Sequence, residues 1–484
     1  MARGLMFQGT GSDVGKTVLV AGLCRLAYRH GIKVLPFKPQ NMSNNAAVAD
    51  DGGEIGRGQW LQAFACNVEP SVHMNPVLLK PQSQTGSQII VHGKMFGYAK
   101  GADYQKLKHA LLSKVMASYQ KLAQQCDLVL VEGAGSPAEI NLRQGDIANM
   151  GFAREANIPV ILIGDIDRGG VIASLVGTHT ILAAEDRELV NGYMINKFRG
   201  DITLFDDGIA AIQRYTNWTC YGVIPWLNAA KLLPAEDSTF LDKTVVTKNG
   251  KLKIAVPILP HIANFDDLDP LLHESDVDLI FVKEGTEFPD HCDAIILPGS
   301  KSTIADMRSL RQLGWADKII DCAGKGKTII GICGGFQMLG RKIYDFNAQE
   351  GQETEADGLQ LLDITTKMEQ EKITRNVKAV HVQSNLPLKG YEIHLGHTTG
   401  AGCARPAVII NGKHDGAMSQ QGNIWGTYLH GLFQADEFRQ MFIKSLGANA
   451  DKAKHFDRLN DALDAIAIEL ERSIDVDELF ALAR

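Results

Sequence analysis

Short, unbroken apolar runs alternate with segments of helical spacing along the first half of the chain. Residues 5–8 form one such run and lead into a glycine-rich loop, and residues 18–28 have a helical pattern. Residues 33–37 read as a second strand, stopped at Pro39. From 104 to 124, Leu107, Leu111, Val115, Tyr119 and Leu122 mark one face of a helix. The runs at 127–131 and 159–163 are apolar without alternation, the pattern of strands covered on both faces, and 192–195 and 221–224 repeat it. Together these elements predict a doubly wound α/β sheet.

The pattern dissolves between 228 and 250, where polar and turn-forming residues such as Pro234, Asn249 and Gly250 gather. Strands resume at 253–258, 279–282, 294–297 and 328–332, with a helix predicted over 304–322 and another over 336–341. The second unit therefore reads as a further doubly wound α/β domain. Residues 451–484 are rich in Ala, Leu, Asp and Glu at helical spacing, a terminal helical segment. The expected division is 1–235, 250–440 and a helical appendage over 441–484, without internal repeats or low-complexity tracts.

Composition narrows the functional classes. A net charge of −7 over 484 residues weighs against nucleic acid as a partner, although local basic pockets remain open to an anionic substrate. No apolar run reaches the roughly 18 residues of a membrane span, and the N-terminus is too short in apolar residues for a signal peptide. The eight cysteines are scattered without a C-x-x-C pair, so neither a zinc site nor a disulfide framework is indicated. These features predict a reduced, cytoplasmic protein with no membrane partner, and they are compatible with a homo-oligomer.

Two segments carry opposite chemistry. Gly9-Thr10-Gly11-Ser12-Asp13-Val14-Gly15-Lys16-Thr17 lies between a strand and a helix, the setting in which backbone N–H groups and a helix N-terminus cradle phosphates. Here Gly11 and Gly15 allow close approach, Lys16 reaches the terminal phosphates of ATP and Thr17 binds Mg²⁺. The loop departs from the standard spacing, because Thr10 stands where the first glycine belongs and Gly9 lies one residue earlier. Glu132 ends a strand just before Gly133, where such sheets bind ligands, and is a second metal candidate, with Asp50 and Asp51 as further acids. The other segment is Gly331-Ile332-Cys333-Gly334-Gly335-Phe336-Gln337. A cysteine on a strand-to-helix turn is exposed to substrate, and the helix N-terminus favours a thiolate. Gly334 and Gly299 are candidate oxyanion donors, and His430 in Tyr428-Leu429-His430-Gly431 is the candidate base. An ATP site and an amide-attacking cysteine together point to a glutamine-fed, ATP-driven amide-forming enzyme.

The lengthened loop, Phe37-Lys38-Pro39 and Val131-Glu132-Gly133-Ala134-Gly135 resemble the dethiobiotin synthetase superfamily. That resemblance implies metal ligands at Thr17, Asp51 and Glu132, and Lys38 facing a phosphorylated intermediate. The Cys333 and His430 segments resemble class I glutamine amidotransferase domains, in which the cysteine takes the γ-glutamyl group and ammonia is released. Those domains usually carry a glutamate two residues after the histidine, but that position is Leu432 here. The missing triad acid resembles the cobyrinate-amidating branch, which also carries a segment like Tyr391-Glu392-Ile393-His394-Leu395-Gly396. Glu392 or His394 is then expected to orient His430 or the glutamine.

Residues 37–45 and 51–57, with the domain order, resemble the cobyric acid synthase family. The implied activity is ATP- and glutamine-dependent amidation of the b, d, e and g carboxylates of adenosylcobyrinic acid a,c-diamide, a corrinoid. Cobyrinic acid a,c-diamide synthase shares these modules and is the neighbouring alternative. A ParA/MinD-like switch ATPase is the alternative of a different class, and the second domain argues against it.

Overall fold

The computed structural model describes residues 2–81, 86–236, 249–351 and 353–484. In the first domain, β1 (Arg3–Gly9), α1 (Lys16–Arg29), β2 (Val34–Phe37), β3 (Leu128–Glu132), β4 (Val160–Asp165), β5 (Val190–Phe198) and β6 (Thr219–Pro225) follow one another in the chain. The strands form a parallel sheet in the order β6-β5-β4-β1-β3-β2. Its unbroken apolar runs have a simple cause. In β1, Leu5 and Phe7 point into one core and Met6 into the other. In β3, Leu128 and Leu130 divide from Val129 and Val131 in the same way. Helices cover both faces, so neither face can be polar. Register then places function: Phe7 pairs with Glu132, which brings the glycine loop and the acidic strand end side by side.

An insertion between β2 and β3 carries α2 (Arg57–Ala65), α3 (Gly101–Ala123) and a four-stranded sheet of Gln40–Met42, Val77–Pro81, Gly86–Val91 and Lys94–Lys100. The predicted helix over 104–124 is α3. The small sheet was not legible from period, because its strands are short and interrupted by polar residues.

In the second domain, β7 (Leu252–Pro257), β8 (Val277–Val282), β9 (Ala294–Leu297), β10 (Thr328–Ile332), β13 (Ala417–Met418) and β14 (Ile424–Thr427) form a sheet ordered β8-β7-β9-β10-β14-β13. A long hairpin, β11 (Thr365–His381) and β12 (Pro387–Thr399), belongs to a neighbouring sheet. The helix expected over 304–322 is two, α4 (Thr303–Gln312) and α5 (Trp315–Gly324), because Gly314 at φ +71° turns the chain between them. The helix after Cys333, α6, spans Gly334–Met338. No helix among the described residues is long and apolar enough to cross a membrane.

Helix α7 (His455–Ser473), in the C-terminal helical segment, does not project as an appendage. Its apolar stripe, Leu463, Ile466 and Leu470, shares a core with Leu19 and Leu23 of α1. Contact is so close at Gly22 that an added Cβ would lie 2.6 Å from Ile466 Cγ2 and from Leu470 Cδ1. The chain end returns to the sheet, with the Gly4 N–H donating to the Arg484 carbonyl at 2.6 Å. An amphipathic helix must bury its stripe, and the small residues Ala21 and Gly22 leave room for it.

This packing sets two effects in opposition. Helix propensity alone would make Gly22→Ala stabilising by about 1 kcal/mol. The close contact predicts a net loss instead, since overpacking costs about 1–3 kcal/mol. Leu470→Ala should cost about 2–5 kcal/mol by leaving a cavity. Urea unfolding of both variants checks the packing, and a stabilised Gly22→Ala would refute it.

Candidate active sites

The glycine loop connects β1 to α1. Gly15 has φ +93°, and a Cβ there would lie 2.4 Å from Asn196 Nδ2, so only glycine fits. The Asn196 amide fastens the loop by donating to the Val14 carbonyl at 2.8 Å. Lys16 curls over the loop, its Nζ donating to the Gly11 and Gly135 carbonyls, each at 3.1 Å. Burial pushes its ammonium down to about 8, with Glu132 partly opposing. Gly11, Gly15, Lys16 and Thr17 thus sit together as expected.

Thr17 Oγ1 lies 2.8 Å from Glu132 Oε1 and 2.5 Å from Glu236 Oε2. Lys38 Nζ bridges the same acids, at 2.8 Å from Glu132 Oε1 and 2.6 Å from Glu236 Oε1. Burial works against charge on Lys38, but the two carboxylates outweigh it and raise its pKa. Burial likewise opposes charge on Glu236, and Lys38 with Thr17 reverses the balance and lowers its pKa.

Asp51 is not part of this cluster. It is exposed and accepts from Ser71 Oγ at 2.6 Å and from the Val72 N–H at 3.0 Å, holding a short turn. Asp50 accepts from Asn376 of β11 at 3.1 Å. The second carboxylate is Glu236, in the stretch read from sequence as a linker, where no periodicity marked it.

Cys333 leaves β10 at φ +52° and ψ −108°, a strained conformation that a non-glycine residue adopts at nucleophile turns. Its N–H donates to the Thr427 carbonyl at 2.9 Å, which ties the turn to β14. Gly334 packs against the Gly299–Ser300 segment: a Cβ on Gly334 would lie 2.8 Å from Ser300 N, and one on Gly299 would lie 3.3 Å from His430 Cε1. Cys333, His430, Gly299 and Gly334 line one cavity of about 30 Å³, together with Lys301 and Lys80.

His430 is 2% exposed, with its ring stacked on Tyr391 at 5.1 Å. Its Nδ1 lies 2.7 Å from Asp267 Oδ2, and the next N–H, of Gly431, donates to Asp267 Oδ1 at 2.6 Å. Asp267 therefore fixes the tautomer and leaves Nε2 for Cys333. Burial alone would lower the imidazole pKa, but Asp267 and the Cys333 side chain push it up to about 10.

The N-terminal part matches a family model for a CobQ/CobB/MinD/ParA nucleotide binding domain over residues 5–240, and the second part matches a CobB/CobQ-like glutamine amidotransferase domain over 253–438. The chain is 59% identical over 475 residues to a protein of Rhizobium etli named cobyric acid synthase, spanning 98% of each chain. Proteins of the same name from Brucella canis (59% over 483 residues) and Mesorhizobium japonicum (58% over 491 residues) match over the full length of both chains. The chain belongs to the cobyric acid synthase family.

For a member of this family, the triad acid is the main correction to the sequence reading. Glu392 pairs with Arg375 at 2.6 Å and lies 3.5 Å from His394 Nε2. His394 stacks on Tyr428 at 3.8 Å, and its Nδ1 meets the Gly396 carbonyl at 2.8 Å. Neither is bonded to His430. Nothing beside His430 in the sequence marks Asp267, which comes from the turn Phe265–Leu268, 163 residues earlier in the chain. Asp266, Asp267 and Asp269 are all buried, and a run of acids among the apolar residues Phe265, Leu268 and Leu271 was the signal the sequence offered.

Asp267→Asn should lower glutamine hydrolysis by about 10³–10⁴-fold, as loss of a triad acid does. Ammonium-driven activity should be spared. A linked stability effect follows, because the imidazolium is favoured in the folded state. The contribution of the pair is whole below the ordinary imidazole pKa of about 6.5. It is lost as pH rises through about 10. The stability gap between wild type and Asp267→Asn in urea should therefore narrow from pH 6.5 towards pH 10, and a gap that widens would contradict the assignment.

Proposed function

We propose that this chain converts the b, d, e and g carboxylates of adenosylcobyrinic acid a,c-diamide to amides, giving adenosylcobyric acid, with ATP as activator and glutamine as nitrogen source. One observation carries the reading: a chain matched end to end by cobyric acid synthases holds both a phosphate loop beside paired carboxylates and a Cys-His-Asp constellation.

A carboxylate repels nucleophiles, so it must first be activated. Lys16 and the loop N–H groups hold the ATP phosphates, and Lys38, set between Glu132 and Glu236, stands where transferred charge develops. The oxygens of Thr17, Glu132 and Glu236 are hard donors that suit Mg²⁺. When bound, Mg²⁺ would supply charge neutralisation for the phosphates. The substrate carboxylate takes the γ-phosphoryl group, and ADP leaves.

In the second domain, the Cys333 thiolate attacks the glutamine side-chain amide. The N–H of Gly334, with a second donor from the adjoining Gly299–Ser300 segment, stabilises the developing oxyanion. His430 passes a proton to the leaving nitrogen, so ammonia departs and a thioester remains. Water, deprotonated by His430, then releases glutamate. Ammonia attacks the acyl phosphate, the C–N bond forms, and inorganic phosphate leaves.

Mass spectrometry of the corrinoid after incubation with ATP and glutamine should show four successive exchanges of OH for NH₂. Cys333→Ala should lose glutamine-driven amidation by several orders of magnitude and keep ammonium-driven amidation, which rises with pH as free NH₃ increases. Lys16→Ala should lose both and keep basal glutamine hydrolysis. An unchanged corrinoid mass in wild type with either nitrogen source would overturn the reading.

A further inference from the structure

The segment 51–57, conspicuous in the sequence, has no role in either reaction described above. Arg57 is the first residue of α2 in the ATP-binding domain, and it reaches across the domain seam. It is 2% exposed, and its Nη1 lies 3.3 Å from Asp266 Oδ2. Its guanidinium carbon stacks 4.0 Å from the Trp60 ring, which fixes its direction. Asp266 precedes Asp267, the acid that holds His430. Asp266 is 1% exposed, and neither of its carboxylate oxygens accepts a hydrogen bond. Burial raises its pKa, Arg57 opposes that, and Asp267 adds to it. A buried carboxylate without hydrogen bonds depends on a neighbouring cation.

The same helix also touches the other site. Gln62 Nε2 donates to Glu132 Oε2 at 2.6 Å, and a Cβ on Gly58 would lie 2.8 Å from Thr17 Cγ2. A single helix of nine residues thus contacts the Thr17–Glu132 pair and the acid cluster behind the triad. A helix this short, closed by its own hydrogen bonds, moves as one body. Gln62 at one end of α2 is thus bonded to Glu132, and Arg57 at the other end is paired with Asp266, so a shift of α2 at one contact would be felt at the other.

We propose that Arg57 is a positioning residue of the glutamine-hydrolysing reaction, supplied by the ATP-binding domain, and that α2 links the state of the Thr17–Glu132 site to the Cys333–His430–Asp267 triad. Arg57 touches no reacting atom and acts through Asp266 on Asp267. The link would confine ammonia release to the time when a carboxylate is being activated. The inference rests on the amidoligase reading above.

The test compares full-length wild type, Arg57→Lys, Arg57→Gln and the double variant Arg57→Gln, Asp266→Asn. Ammonium-driven amidation, glutamine-driven amidation and glutamine hydrolysis with and without ATP plus the corrinoid are measured, alongside thermal melting. Arg57→Gln should lower kcat with glutamine at least about 10-fold while KM for glutamine and ammonium-driven amidation stay within about 2-fold. Arg57→Lys should recover part of the loss. The double variant leaves no lone buried charge, so it should melt like wild type and still lack stimulation of hydrolysis by ATP and corrinoid. Parallel loss with both nitrogen sources, or normal stimulation in the double variant, would overturn the proposal. Failure of wild type to amidate with ammonium would overturn the underlying reading instead.

Discussion

A charge removed from water must be met by an opposite charge, and the seam between the two domains is built on that constraint. Glu54 is 1% exposed and is held by Lys80 of its own domain at 2.8 Å and by Lys372 of β11 in the other. Burial opposes its charge, but the two lysines win and lower its pKa. Arg57 and Asp266 form a second buried cross-domain pair. Removing one partner of such a pair strands the other, at a cost of about 3–5 kcal/mol. The ion pairs therefore contribute register more than net stability. Apolar burial between the domains comes from Ala46, Val48, Leu78 and Ile90 against Tyr391 and Ile393.

The glutaminase site sits on this seam. Its cavity is walled by Cys333 and His430 from one domain and by Lys80 from the other. Asn264, also in the cavity wall, donates to the Ala46 carbonyl across the seam at 2.9 Å and to Tyr391 Oη at 2.9 Å. Tyr391 in turn supports the His430 ring. Burial pushes Lys301 down to about 7, and Lys372 of the same domain and Lys80 of the ATP-binding domain add to the effect. The cavity beside Cys333 and His430 is therefore built from both domains, even though those two residues lie in one.

The synthetase site follows from simpler rules. Parallel pairing of β1 with β3 sets Glu132 beside the loop, and the fixed φ of Gly15 lets α1 start at Lys16. Both are properties of short chain segments and of strand order. The closure of that site is not local, because Glu236 arrives from beyond β6 to complete the contacts of Thr17 and Lys38.

Periodicity alone was enough to determine the two doubly wound units, since strands covered on both faces have no polar side to show. Gly11, Gly15, Lys16, Thr17, Glu132, Cys333 and His430 were legible as candidates because each lies in or beside a turn that contains glycine, whereas Lys38 was named only through the family resemblance. Tertiary structure decided the rest. Asp51 belongs to a local turn, because its oxygens are taken by Ser71 and Val72. Glu236 instead meets Thr17 and Lys38, and Asp267 meets His430 where no acid stands at Leu432, each brought from a distant segment by packing. The stripe of α7 declared a helix but not its partner; the absent side chain at Gly22 supplied the groove. A sequence reports which groups must be buried or turned, whereas three-dimensional packing decides which groups meet.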